Sequence, residues 1–596
     1  MKLLTSLLTL AITSLAASAE KPNIVIVITD DQGYGDLACH GNPIIKTPHI
    51  DKLYSESTVL TDYHVAPTCS PTRSALLTGH WTNRTGVWHT IQGRSMIREN
   101  EVTLGQHFEK DYATAMFGKW HLGDNYPYRP EDRGFEEVYR HGGGGVGQTP
   151  DLWDNAYFDG SYFHNGKITP AKGFCTDVFF EQANSFIKEK AKAKEPFLAY
   201  ISLNAPHGPL HAPQKYMDMY PDQDPRIQSF FGMITNIDDN VAKTRQLLSD
   251  LGIADNTIFI FTTDNGTASG KRIFNAGMKG NKGSPYEGGH RVPMFIHWPA
   301  AGLNKHVKID NLTHAIDFVP TLLDVCEVPN TAEVKFDGLS LKDLIDPDTD
   351  TDVEWEDRFI ITDSQRVVDP IKWRGSAVMS QQYRLIKGKE LYDIKADPGQ
   401  KKNIAKANPE QVAKMRAFYD AWWAELKPTF AQTTEIYLGH EDALTATLTC
   451  HDWLNTGPPW HQGHVRTGTA YDKKKALTQA KHLGHWAVKV VADGTYDISI
   501  RRWPTEANHP ITSGLAAGAA VSGYSKAFRT EEGIPLPITT ATLRLNDKDI
   551  ESKPVTDTDT QITFTVELTK GSHKLAPVFK HANGEIGAYY AIVTKK

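Results

Sequence analysis

The sequence predicts an α/β fold followed by an all-β region. Two patterns carry the prediction. Through the first half of the 596 residues, continuous apolar, β-branched runs end abruptly in polar clusters and alternate with helical segments. Beyond about residue 430 the texture changes to apolar and polar residues alternating with period two.

The elements follow in order. The chain opens Met1-Lys2, runs through Leu3, Leu4, Leu7, Leu8, Leu10, Ile12 and Leu15, and reaches Ala17-Ser18-Ala19. One positive charge, a short apolar stretch and an Ala-x-Ala ending predict a secretory signal peptide, residues 1–19, cut after Ala19. The stretch is too short and too rich in Ser and Thr for a membrane anchor. A secreted or periplasmic protein with no membrane partner after cleavage is therefore expected.

Residues 24–28 lead into Thr29-Asp30-Asp31, and residues 113–117 into Gly118-Lys119-Trp120-His121. Residues 197–201 lead to Asn204-Ala205-Pro206-His207, and residues 257–261 to Thr262-Thr263-Asp264-Asn265-Gly266. Unbroken apolar runs read as strands buried on both faces, as in a parallel sheet. Residues 176–193 and 238–251 read as helices between them. In such folds ligands bind at the carboxyl ends of the strands, where all four polar clusters fall.

This α/β region is expected over residues 20–330, a small α+β region over 331–430, and a third region over 431–596. In the second, residues 409–426 carry Val412, Met415, Phe418, Trp422 and Leu426 near helical spacing. In the third, residues 486–490 and 496–500 alternate around Asp493-Gly494, which predicts a hairpin. Residues 540–545 and 560–568 alternate similarly, so residues 431–596 read as an antiparallel β-sandwich.

A net charge of -7 argues against nucleic acid as a partner and requires any anion-binding charge to be local. The five cysteines are Cys39, Cys69, Cys175, Cys326 and Cys450. Without Cys69, four can form up to two disulfides or stay unpaired. No Cys-x-x-Cys cluster marks a zinc site.

The chemistry is concentrated in a few motifs. Cys69-Ser70-Pro71-Thr72-Arg73 is followed by Thr78-Gly79. Pro71 suits a first helical turn and Gly79 a helix end, which puts Cys69 at a helix amino terminus, where exposed N–H groups favour negative charge. Asp30, Asp31, Asp264 and Asn265 are hard oxygen donors, suited to Ca²⁺ more than zinc. Singly, each Asp pair reads as a helix cap or turn. Lys119 and His121, two apart at a strand end, are expected to point the same way. His207 lies in Ala-Pro-His-Gly-Pro, and Lys282 opens Lys-Gly-Ser-Pro-Tyr-Glu-Gly-Gly-His-Arg-Val-Pro.

Cys-x-Pro-x-Arg followed by Thr-Gly, together with these segments, resembles the type I (formylglycine-dependent) sulfatases, arylsulfatase-like members of the alkaline phosphatase superfamily. The resemblance covers roughly the first 400 residues. It implies a sulfatase core with a small antiparallel C-terminal subdomain, to which residues 388–393 and Asp397-Pro398 belong. Sandwich tails occur on some bacterial members. It further implies that a maturating enzyme oxidises Cys69 to formylglycine (3-oxoalanine). One Ca²⁺, or Mg²⁺ in its place, is held by Asp30, Asp31, Asp264, Asn265 and residue 69. Arg73 positions the hydrated aldehyde, Lys119, His207 and Lys282 bind sulfate, and His121, His207 and Asp264 move protons.

The expected function is hydrolysis of sulfate esters, on sulfated carbohydrate or aryl sulfate. The alternatives are a phosphatase or phosphonate hydrolase of the same superfamily and an unmatured carbohydrate-binding pseudoenzyme. The former usually carry two zinc ions and a Thr or Ser nucleophile. His89, His141, Asn204 and His211 are candidates for further substrate contacts, and the glycines 142–145 for a flexible loop near the pocket mouth. In the tail, Trp453, Trp460, His461 and Arg501-Arg502-Trp503-Pro504 either contact sugar or pack the sandwich on the catalytic region, with packing favoured.

Overall fold

The computed structural model describes residues 21–348, 357–454, 457–468, 483–582 and 584–596; the expected signal peptide lies outside them. A ten-stranded sheet forms the centre. Its strands are β1 (Asn23–Thr29), β2 (Thr58–Leu60), β3 (Ala113–Gly118), β4 (Glu137–Arg140), β5 (Ser161–His164), β6 (Lys167–Pro170), β7 (Phe197–Ser202), β8 (Thr257–Thr263), β9 (Met294–His297) and β10 (Val307–Ile309). They lie in the order β10-β2-β9-β8-β1-β7-β3-β4-β5-β6. The middle run β8-β1-β7-β3-β4 is parallel, while β9, β5 and β6 join antiparallel.

The unbroken apolar runs have a direct cause. Ile24, Ile26 and Ile28 enter one hydrophobic core, and Val25 and Val27 enter another on the opposite face. A strand covered on both sides has no solvent face on which polar residues gain anything. One face is covered by α1 (Cys69–Thr78) and the other by α2 (Cys175–Ala193) and α3 (Pro225–Asp250). The last is longer than the expected 238–251. Its start is set by Asp224, whose carboxylate accepts from the N–H groups of Arg226 and Ile227, with Pro225 at the first helical position.

A four-stranded antiparallel sheet follows, from Ile360–Thr362 through Ala377–Met379 and Tyr383–Ile386 to Glu390–Asp393. It leads to α4 (Pro409–Leu426), which buries Met415, Tyr419, Trp422, Trp423 and Leu426. Arg384 ties this sheet to the centre through Asp62 at 2.7 Å and Glu287 at 2.8 Å.

The tail is a sandwich of a seven-stranded and a four-stranded sheet. It is antiparallel except where Ile436–Leu438 runs parallel to Trp486–Val490. The expected hairpin around Asp493-Gly494 is not formed. Trp486–Val490 pairs with Gly571–Leu575 in one sheet, whereas Gly494–Arg501 pairs with Ile562–Leu568 and Tyr590–Lys595 in the other. Alternation reports which side of a strand is buried, not which strand it pairs with. Here the short connection crosses between the sheets, and Gly494 takes a φ of 143° that other residues avoid. All five cysteines are free, so no disulfide forms.

Candidate active site

The site is assembled at the carboxyl ends of β1, β3, β7 and β8. Asp30 and Asp31 follow β1; Asp31 has a left-handed backbone (φ 71°), uncommon for a non-glycine residue. Asp264 and Asn265 follow β8, and the N–H of Asp264 donates to Thr29 O at 3.1 Å. The N–H of Asp31 returns to Asp264 Oδ1 at 3.1 Å, and Asn265 Nδ2 donates to Asp31 Oδ1 at 2.9 Å. Three carboxylates and an amide are therefore locked together, with all four residues buried.

Cys69 is the first residue of α1, whose ten residues are all buried. The helix ends at Gly79, φ 72°, as its sequence predicts. Lys282 Nζ stands 3.6 Å from Cys69 Sγ and 2.5 Å from Asp31 Oδ1. Lys119 Nζ lies 2.5 Å from Asp30 Oδ2. His207 Nε2 lies 3.8 Å from Asp31 Oδ2. Arg73 turns to Asp264, with Nη2 2.9 Å from Oδ2, and also donates to Ser202 Oγ and Leu203 O. Arg73 thus anchors Asp264, a more specific position than the sequence conveyed.

Lys119 and His121 do not lie on the strand, which ends at Gly118. His121 has a φ of 62°, so strand alternation is not what orients it. Its Nε2 meets Thr90 O at 2.8 Å. A carbonyl only accepts, so Nε2 carries the proton, and Nδ1, buried without a partner, keeps a lone pair for proton transfer.

The electrostatics follow from burial. The Cys69 thiol is pushed up to about 11 by burial, only partly opposed by Lys119 and Lys282. Burial and the like charge of Asp30 raise Asp264 to about 7. Asp31 would be raised by burial, but Lys282 and then His207 pull it well below the carboxylate range. His207 is lowered to about 4 by burial and Lys282. Burial, then Lys119 and His451, push His121 well below the ordinary imidazole value. Both imidazoles are neutral near pH 7.

The residues fit a hard cation. Asp30 Oδ1 and Asn265 Oδ1 are buried oxygens with no hydrogen-bond partner. Ligand atoms of Asp30, Asp31, Cys69 and His207 lie within 4.8 Å of one another. Orphaned buried oxygens among like-charged carboxylates are costly unless a cation completes them.

Of the other candidates, His141 Nδ1 donates to Gly142 O at 2.8 Å, Asn204 contacts Cys175 Sγ at 3.7 Å, and His211 Nε2 donates to Ser525 O of the tail at 2.9 Å. These are structural contacts. The Gly142–Gly145 run does border the site, with Gly144 packed on the His121 ring. It is buried and tied, however, with Gly143 N donating to Asp124 at 3.0 Å and Gly144 N to Gln148 at 2.9 Å. Trp453, Trp503 and Arg502 are fully buried, and Arg502 donates to the carbonyls of Ser513 and Ile534. Packing is therefore their role.

His451 escaped the sequence reading. It lies 6.0 Å from the His121 ring, held by Asp452 at 2.9 Å, and its carbonyl accepts from Gln92 N at 2.9 Å. The tail thereby clamps the loop whose Thr90 carbonyl orients His121. No spacing in the sequence signals that contact.

A family model described as "Sulfatase" matches residues 22–328, more than half of the chain. This chain belongs to the sulfatase family. A second model, "N-sulphoglucosamine sulphohydrolase, C-terminal", matches residues 281–419. Arylsulfatase J of Mus musculus is 31% identical over 355 residues, covering 55% of this chain and 56% of that protein. N-acetylgalactosamine-6-sulfatase of Canis lupus familiaris is 31% identical over 358 residues, 55% of this chain and 66% of that protein. The chain thus spans less than two thirds of these relatives' length. Among solved structures, Ps i-CgsB aligns with a TM-score of 0.61 and 28% identity, covering 67% of this chain and 92% of that one; it is also known in complex with k-i-k-neocarrahexaose.

Proposed function

We propose that this sulfatase-family chain is an exported hydrolase of sulfate esters on sulfated carbohydrate, acting through a formylglycine hydrate made from Cys69. The observation that carries the reading is the convergence on Cys69 of Lys282 at 3.6 Å, two further cationic or imidazole groups, and a buried oxygen-donor cluster. That set suits an anionic ester attacked by an activated hydroxyl. The relatives named for sulfatase activity, and the neighbour solved in complex with k-i-k-neocarrahexaose, support the class of substrate. The work is divided among a catalytic region at 20–330, a small region at 331–430 and an accessory sandwich at 431–596.

Asp30, Asp31, Asp264, Asn265 and residue 69 would hold Ca²⁺. Bound there, the ion supplies positive charge to the sulfate oxygens and the nucleophile. The chain's own residues do the rest. Lys119 and Lys282 bind the sulfate oxygens. One hydroxyl of the residue 69 hydrate attacks sulfur as Asp264 takes its proton. The leaving alcohol receives a proton from Lys282, or from His207 once the bound sulfate's negative charge has protonated its Nε2, as the S–O bond breaks. His121 Nδ1 then removes the proton of the second hydroxyl, sulfate is expelled, and the aldehyde re-forms.

The test is the mass of the peptide containing residue 69, from protein made beside a maturating enzyme, paired with sulfate release from a panel of sulfated sugars. Formylglycine and released sulfate are expected. Cys69→Ala should reduce release to background with an unchanged melting temperature. Turnover retained in that folded variant would sink the mechanism.

A further inference from the structure

Arg366 stands at the rim of the site with no acidic partner among the described residues. It is exposed, and its backbone is left-handed at φ 46°, a conformation that few non-glycine residues adopt. Two site loops fix its place. Its guanidinium carbon and Nη1 lie 3.8 Å from where a Cβ of Gly283 would stand, next to Lys282, and Gly283 N donates to Pro67 O at 2.8 Å just ahead of Cys69. On the other side its own N–H donates to Trp88 O at 3.3 Å. Beyond Trp88 comes His89, a buried imidazole lowered to about 3 by burial, then by Arg366, His451 and Arg374, and then Thr90, which holds His121.

Arg374 is exposed beside it and donates from Nε to Gln365 O at 2.5 Å. No carboxylate among the described residues pairs with either arginine; Asp369 faces Arg94 instead, at 3.9 Å. A planar guanidinium fork is shaped for two oxygens of one sulfate or carboxylate.

We infer that Arg366, seconded by Arg374, forms a subsite for a second anionic group on the sugar whose reacting sulfate lies at Lys119 and Lys282. The inference rests on the sulfate-ester reading above and narrows it: the substrate is an oligosaccharide carrying at least two acidic groups on the same or adjoining sugars. The second group is a sulfate ester or a carboxylate.

Binding separates this from the hydrolase reading. Calorimetric titration of the Cys69→Ala chain uses carrageenan- and chondroitin-derived disaccharides with one sulfate, with two sulfates, and with one sulfate plus a uronic carboxylate. In this background the doubly charged probes should bind about tenfold more tightly. Arg366→Gln should erase that margin while leaving the singly charged probes unchanged, and Arg366→Lys, which keeps charge without the fork, should fall between. A margin only with two sulfates identifies sulfate as the group read; a margin with the uronate identifies carboxylate. Equal affinity for all probes, equal weakening of all by Arg366→Gln, or no binding at all overturns the subsite. A preserved margin in a matured protein that releases no sulfate would overturn the hydrolase reading and leave the subsite standing.

Discussion

Asp30 shows how much a single buried oxygen can require. One carboxylate oxygen is paired with Lys119 and the other has no partner. Asp30→Asn should therefore cost metal affinity by at least about tenfold, read by elemental analysis after equilibration at limiting Ca²⁺; unchanged calcium would remove Asp30 from the ligand set. Glu287 gives a second prediction, of opposite pH character to a histidine switch. Burial would raise it, but Arg384 and then His64 hold it down to about 2, against an ordinary value of 4.5. A depressed carboxylate stabilises the fold above its unfolded value, and that stability drains away as pH falls from about 4.5 toward 2. Glu287→Gln should be less stable than the parent at pH 7, with the gap closing below pH 4.5 in denaturant titrations. A gap that stays constant with pH would assign the loss to packing. The residue types at the site were legible because each sits in a distinctive local string. The left-handed turns at Asp31 and His121 were not, since Asp and His tolerate that backbone better than most residues but adopt it in only a small minority of positions.

The helix α1 carries Cys69 at its first position and is ended by Gly79. An L-residue there pays about 1–2 kcal/mol for the left-handed backbone, and its Cβ would stand 2.7 Å from the ring of Phe336. Gly79→Ala should thus lower stability by about that amount or more, measured as a shifted denaturation midpoint; no shift would mean the C-cap yields freely. The parallel strands were readable because burial on both faces leaves an unbroken apolar run. The partners of Trp486–Val490 and Gly494–Arg501 were not, because the same alternation suits either sheet of a sandwich. For α3, Asp224-Pro225 was a usable start signal that periodicity alone passed over.

Across the whole molecule, one hydrophobic core runs from Ile24 of β1 through Trp88 and Phe430 to Trp486 and Val593 of the sandwich. Polar ties reinforce it: Tyr128 donates to Glu435 O at 2.8 Å, and Asn125 and Thr447 exchange bonds at 3.0 and 3.2 Å. The tail should melt with the rest, giving one calorimetric transition, and a chain ended after residue 430 should lose His121 function along with solubility. Two resolved transitions would contradict a shared core. This coupling lay beyond the sequence, which marks a change of texture near residue 430 but not the surfaces that meet. The depth of Cys69, 2% exposed and lidded by Lys282, has its own consequence for how such a protein comes to work. A second enzyme cannot grip a residue at the first turn of a buried helix. Under the proposed chemistry, oxidation has to precede the folding of that segment, so the active fraction of any preparation is decided during synthesis. Molecules that fold with the thiol intact are not repaired afterwards without being unfolded.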